Sequence, residues 1–255
     1  MAENILKVEN GTFSYEENRF AIHNVNMEIN AGEKIAVIGN NGAGKSTFFL
    51  ALNGVIKLDS GDIYFHNEKL EYRRNSLLEL RKKVGIVFQN PDEQMIASTV
   101  EGEISFGLYN VGYQKETVRK KVDEIMERLE LKEYSTRPPH YLSGGEKKRV
   151  SIADIMVMEP EIILFDEPTA SLDCKNIQLF KKQVNELHEK GVTLLISTHD
   201  MNFVWEWADR VIVFSNGTII ADDKAENIFS KEDIVEQAAL QKPILFDFGI
   251  KSISI

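Results

Sequence analysis

The sequence predicts an α/β protein built on a mostly parallel sheet, with an antiparallel β layer at its N-terminal end and a helical subdomain in its middle. Three observations predict it. Four short apolar runs, KIAVIG (34–39), KVGIVF (83–88), EIILF (161–165) and VTLLIST (192–198), end in polar residues and are joined by segments of helix length, as buried parallel strands are. Ahead of them, ILKVEN, GTFSY and IHNVNMEI alternate apolar and polar residues at period two between turn residues, which suits strands with one wet face. Between KVGIVFQ and EIILF the apolar residues instead recur at three and four, the helical period.

The elements follow in order. KIAVIG runs into the glycine-rich GNNGAGKST (39–47), and FFLALNGV (48–55) behind it has helical character. The middle segment holds TVEGEISFGLYN, KETVRKKVDEIMERLEL and KKRVSIADIMVM as helices. Ser143 followed by Glu146 gives the last of these a capping box, in which each side chain satisfies a free backbone N–H. That leaves Gly144 and Gly145 unexplained, because glycine in a helix costs about 1 kcal/mol against alanine. Near the end, RVIVFSNGTIIA sets Asn216-Gly217 between two β runs, a strong hairpin signal. The segment after it reads as short amphipathic helices and an irregular tail.

Composition narrows the function. Apolar residues make up 43% and no run reaches the roughly 18 residues of a membrane span. The net charge of −10 argues against a broad nucleic-acid surface, and the basic stretches RKKVDEIMER and EKKRV read as solvated helix faces. The single Cys174 excludes an internal disulfide and a cysteine-rich metal site. MAENILKVEN has neither a basic nor an apolar leader region, so a cytosolic position is expected.

GNNGAGKST matches G-x-x-x-x-G-K-[ST] between a buried strand and a helix, the context that phosphate binding requires. Its glycines let backbone N–H groups wrap a phosphate at a helix start. Lys45 is expected to reach the β- and γ-phosphates and Ser46 to ligate Mg²⁺. At the end of IILFDEP, Asp166 suits the carboxylate that holds the metal, and Glu167 suits the one that polarises the attacking water. Gln89 and His199 end two other buried runs, so the parallel sheet delivers them to the same edge.

These residues together resemble the ATP-binding-cassette family of ATPases, from about residue 5 to about residue 240. GNNGAGKST looks like its Walker A motif, Gln89 its Q-loop glutamine and LSGGE its signature; IILFDE resembles its Walker B, Ser171 to Asp173 its D-loop, and His199 its switch histidine. Glu146 and Cys174 stand where the family more often has glutamine and proline. The resemblance implies an ATPase domain over 1–240 with a helical subdomain at about 91–158, and a C-terminal extension and tail over 222–255. It implies ATP and Mg²⁺, with ATP held by Tyr15, Gly39, Asn40, Asn41, Gly42, Ala43, Gly44, Lys45, Ser46 and Thr47, and the metal by Ser46, Gln89 and Asp166. Tyr15, which would stack on adenine, fits a core strand tyrosine nearly as well. Lys45, Gln89, Glu167 and His199 would be the catalytic set. In such proteins two cassettes meet head to tail, so Ser143, Gly144, Gly145, Glu146 and Asp173 would act in trans, with the glycines leaving room for the facing γ-phosphate.

VFQNPDEQMIASTVEGEISFG further resembles the energy-coupling-factor importers of cobalt, nickel or vitamins. That implies a peripheral position on the cytoplasmic side of the cell membrane, a transmembrane coupling protein, a substrate-binding membrane subunit, and a second ATPase as homodimer or heterodimer partner, with no nucleic acid. Met95, Ile96 and Val100 would line the docking groove or belong to the core. The rival is a soluble cassette ATPase acting on nucleic acid or the ribosome; the single cassette, with only about fifty residues and no sustained heptads between Gln89 and Ser143, disfavours it.

Overall fold

The computed structural model describes residues 3–16, 19–170 and 172–250. Strand β1 (Asn4–Glu16) pairs antiparallel with β2 (Arg19–Asn30). The turn expected at Asn10-Gly11 is instead a bulge inside one continuous strand. The register steps from Val8↔Met27 to Gly11↔Val25, three residues on β1 against two on β2. Asn10 absorbs the extra residue at φ 50, a left-handed conformation that asparagine tolerates, and its N–H donates to Asn26 Oδ1 at 2.9 Å.

β3 (Lys34–Ile38) leads into helix α1 (Lys45–Leu52). A hairpin of β4 (Ser60–Phe65) and β5 (Glu68–Lys69) then completes a four-stranded sheet in the order β2-β1-β4-β5. Its two-residue turn, His66-Asn67, adopts positive φ at both positions without a glycine, so the sequence pattern does not single it out. α2 (Arg74–Lys83) precedes β6 (Val84–Val87), and then come the inserted helices α3 (Val100–Asn110), α4 (Lys115–Arg128) and α5 (Gly144–Met156).

β7 (Ile162–Asp166), α6 (Cys174–Glu189), β8 (Thr193–Ser197) and α7 (Met201–Trp207) lead to the hairpin of β9 (Arg210–Ser215) and β10 (Thr218–Asp223), turning at Asn216-Gly217 as expected. The second sheet runs β10-β9-β3-β8-β7-β6, parallel except for β10 at its edge. α8 (Ala225–Ser230) and α9 (Glu232–Gln237) follow.

This sheet separates two apolar cores. On β7, Ile162 and Leu164 face the core shared with α1 and the N-terminal strands, while Ile163 and Phe165 face the one shared with α3 to α7 and α8. Both tryptophans lie on α7: Trp205 packs on Phe246 and donates from Nε1 to the Ile250 carbonyl at 2.8 Å, and Trp207 stacks on Phe203. Among the described residues no helix is long and apolar enough to cross a membrane.

Candidate active site

The parallel strands β3, β6, β7 and β8 end at one edge, and a cavity of about 770 Å³ opens there. Its wall brings together Tyr15, Asn41 to Thr47, Gln89, Glu167 and His199. Behind that wall, Gly39 bends the chain away from β3 at φ 143, so close to β9 that a Cβ would overlap the Phe214 carbonyl. Gly44, at φ 105, caps α1 with the Ala21 carbonyl equally close. Only glycine combines these angles with that approach.

Lys45 is buried, and its Nζ donates to the Gly39 carbonyl at 2.7 Å and the Asn40 carbonyl at 3.2 Å, with His199 Nε2 at 3.5 Å. Burial lowers its pKa, and the nearby Glu167 and Asp166 carboxylates resist that fall. An ammonium held by two carbonyls of its own loop is a charge positioned for a phosphate that can outbid them. Ser46 is exposed to the cavity beside it.

Asp166 ends β7 almost fully buried, and Ser197 Oγ donates to its Oδ1 at 2.5 Å. The same Ser197 oxygen accepts the Glu167 N–H at 3.0 Å. Glu167 stands at φ 42, a left-handed conformation costly for a residue with a side chain, and it aims its carboxylate into the cavity. Its Oε1 is buried and receives no hydrogen bond; His199 Nε2 approaches it at 3.0 Å but outside hydrogen-bonding geometry. Burial raises the Glu167 pKa, opposed by Lys45 and reinforced by Asp166. Burial, with Lys45 next, lowers that of His199, which favours the neutral imidazole.

The residues fit a magnesium nucleotide. A serine hydroxyl, a glutamine amide and an aspartate carboxylate are the oxygen donors that Mg²⁺ takes, and no cluster of three or more His, Cys, Asp or Glu competes for it among the described residues. Mg²⁺ characteristically keeps water and phosphate in its shell, so few protein ligands suffice.

Tyr15 is 64% exposed, which removes its reading as a core residue, and its hydroxyl lies 3.4 Å from Thr47 Oγ1. Ser143, Gly144, Gly145, Glu146 and Asp173 line no part of the cavity. The first four open α5 with the expected capping box: Glu146 Oε2 accepts the Ser143 N–H at 2.7 Å, and Ser143 Oγ accepts the Glu146 N–H at 3.4 Å. Asp173 caps α6, and Ser171 lies outside the described residues. Of the suggested groove residues, Val100 is fully buried core, Met95 packs against that core, and Ile96 is 67% exposed.

One residue escapes a reading of the sequence. EKKRV is not a solvated face: Lys147 pairs with Asp92 at 2.7 Å, and Lys148 is 2% exposed. Lys148 Nζ donates to the carbonyls of Phe88 at 2.8 Å and Gln89 at 2.9 Å, tying α5 to the chain leaving β6. Burial pulls its pKa down to about 8. Lys148→Met would leave two carbonyls without their donor, so an unfolding free energy lower by about 1–3 kcal/mol is expected in urea titration.

Comparison with known proteins identifies the family. Residues 22–170 match the ABC transporter family. The energy-coupling factor transporter ATP-binding protein EcfA2 of Methanospirillum hungatei is 41% identical over 97% of this chain and 62% of its own length. EcfA of Methanothermobacter thermautotrophicus is 40% identical over 94% of this chain and 77% of its own. This chain thus spans less than two thirds of the first relative. Among solved structures, cbiO1 of Clostridium perfringens, part of the ABC transporter complex cbiONQ, is 36% identical and superposes over 97% of this chain and 99% of its own with a TM-score of 0.79. A cassette solved as a dimer in a post-hydrolysis state with ADP and Pi is 29% identical and gives 0.79 over 87% of this chain and 99% of its own.

Proposed function

This chain belongs to the ABC transporter family, and from that premise we propose that it is the ATP-hydrolysing motor subunit of an energy-coupling-factor importer. It works at the cytoplasmic face of the membrane through a transmembrane coupling protein and a substrate-binding membrane subunit, and its cargo is a cobalt or nickel ion or a vitamin. The observation that carries the reading is the division of the functional residues. Lys45, Ser46, Gln89, Glu167 and His199 share one cavity, while Ser143 to Glu146 and Asp173 lie outside it. The second set needs a nucleotide from elsewhere, and a facing cassette, of the same or a similar chain, supplies one.

In this reading Tyr15 stacks on adenine and the 39–47 loop wraps the phosphates. Lys45 exchanges the Gly39 and Asn40 carbonyls for the β- and γ-phosphates. Ser46, Gln89 and Asp166 would hold Mg²⁺, which would supply charge neutralisation on the phosphates. Glu167 takes its place beside the attacking water, and its raised pKa makes it the stronger base. His199 lies between Glu167 and Lys45, where its ring N–H can steady the γ-phosphate.

Gln89 connects this chemistry to the membrane partner. The segment after it presents Ile96 outward because buried Glu103 accepts the N–H groups of Ile96 at 2.9 Å and Ala97 at 2.6 Å. On α3, Phe106 and Tyr109 are exposed as well. These side chains suit apolar helices of a coupling protein. Purifying the chain from membranes tests the reading: a transmembrane protein should co-purify, and Ile96→Asp should reduce its recovery several-fold. Recovery with ribosomes or nucleic acid, and without a membrane protein, would establish the soluble alternative.

A further inference from the structure

The two glycines that open α5 are not alike. A side chain added at Gly144 would meet nothing within 4 Å. A Cβ added at Gly145 would lie 2.7 Å from Nδ2 of Asn176, 2.9 Å from its Cγ and 3.2 Å from its Oδ1. The Asn176 amide therefore rests against the Gly145 backbone, in the space that any other residue would fill. Backbone conformation does not demand glycine there, since Gly145 lies outside the positive-φ region. The close contact favours it, because a side chain there would have to displace the Asn176 amide.

Asn176 stands in the first turn of α6, whose N-cap is Asp173. Its backbone N–H and its side-chain Nδ2 both donate to the same oxygen, Asp173 Oδ1, at 2.8 and 2.9 Å. One side chain thus touches the signature helix and fixes the Asp173 carboxylate. We infer that Asn176 is a positioning residue for Asp173, and that Gly145 is glycine because it seats the Asn176 amide. The starts of α5 and α6 are then presented to the facing cassette as one surface.

This inference rests on the reading of Ser143 to Glu146 and Asp173 as groups that act in trans, and it narrows that reading. Space for the facing nucleotide lies at Gly144, whereas the space at Gly145 is already taken within the chain. A methyl group at 145 would push the amide aside. The Nδ2 bond to Asp173 would be lost while the backbone bond stayed, and the carboxylate would turn.

A double-mutant cycle separates the two explanations of Gly145. Unsubstituted chain, Gly145→Ala, Asn176→Ala and the double variant are each purified in complex with their membrane partners, and ATP turnover is measured. Melting temperature is recorded beside it. Gly145→Ala should lower kcat about tenfold with little change in KM for ATP. Asn176→Ala loses the same Nδ2 bond and should cost about as much, and the double variant should match it, because the methyl group then has nothing to displace. The inference is overturned if Gly145→Ala costs the same factor in both backgrounds, which would assign the glycine to phosphate approach, or if Gly145→Ala turns over normally. The motor reading fails separately, by absence of turnover in the unsubstituted complex. The Asn176 contact is then judged on the melting cycle, where additive shifts overturn it.

Discussion

Glu167→Gln is expected to cut ATP turnover by about a hundredfold or more while ATP still binds. Glutamine keeps the shape of the side chain and its place in the cavity, but its amide oxygen cannot take a proton from water. The surroundings make glutamate suited to that task. A left-handed backbone turns the carboxylate inward, Oε1 receives no hydrogen bond, and burial raises the pKa above the ordinary 4.5. The acid form is the inactive one, so turnover should fall as pH drops through that raised value, earlier than free glutamate would require. Phosphate release under single-turnover conditions, beside an ATP-binding titration, reads both effects. Turnover like that of the unsubstituted chain would remove Glu167 from the water-activating role.

Ser143→Arg should abolish hydrolysis, to below about 1% of the unsubstituted rate, and spare nucleotide binding by the isolated chain. Ser143 touches no wall of the cavity in its own chain, so binding there has no reason to change. The substitution removes an N-cap, worth about 1 kcal/mol, and sets a bulky guanidinium on the surface offered to the facing cassette. Ser143→Thr is the control, because threonine also caps. If Ser143→Arg weakens binding by the isolated chain as much as it weakens hydrolysis, the serine serves its own cavity and the assignment in trans is wrong.

The parallel strands and the phosphate loop are legible in the sequence because both are local. A short apolar run and a fixed glycine spacing keep their meaning wherever the chain places them. Residues whose role depends on a distant partner are not legible in this way. Lys148 looks like one cation in a basic run, and only the approach of α5 to the end of β6 reveals it as a buried donor. Asn10-Gly11 carries a turn signal, yet pairing along the whole of β2 overrides it and leaves a bulge. Spacing could not separate Val100 from Ile96, since both are apolar. The core took the first, and Glu103 holds the backbone that exposes the second. Asn176 belongs to the same group: no local pattern links it to Gly145.

The placement of the aromatic residues has a spectroscopic consequence. The chain's two indoles, Trp205 and Trp207, both sit on α7, whose first residue follows His199 by only two positions. Ultraviolet emission excited near 295 nm, where tyrosine absorbs little, therefore originates from a single short helix. One of its chromophores is tethered to the carbonyl of Ile250 and the other lies flat on Phe203. If His199 shifts with the nucleotide, as its proposed role requires, the adjoining helix that carries both emitters is expected to respond, and the emission would report the event without a label.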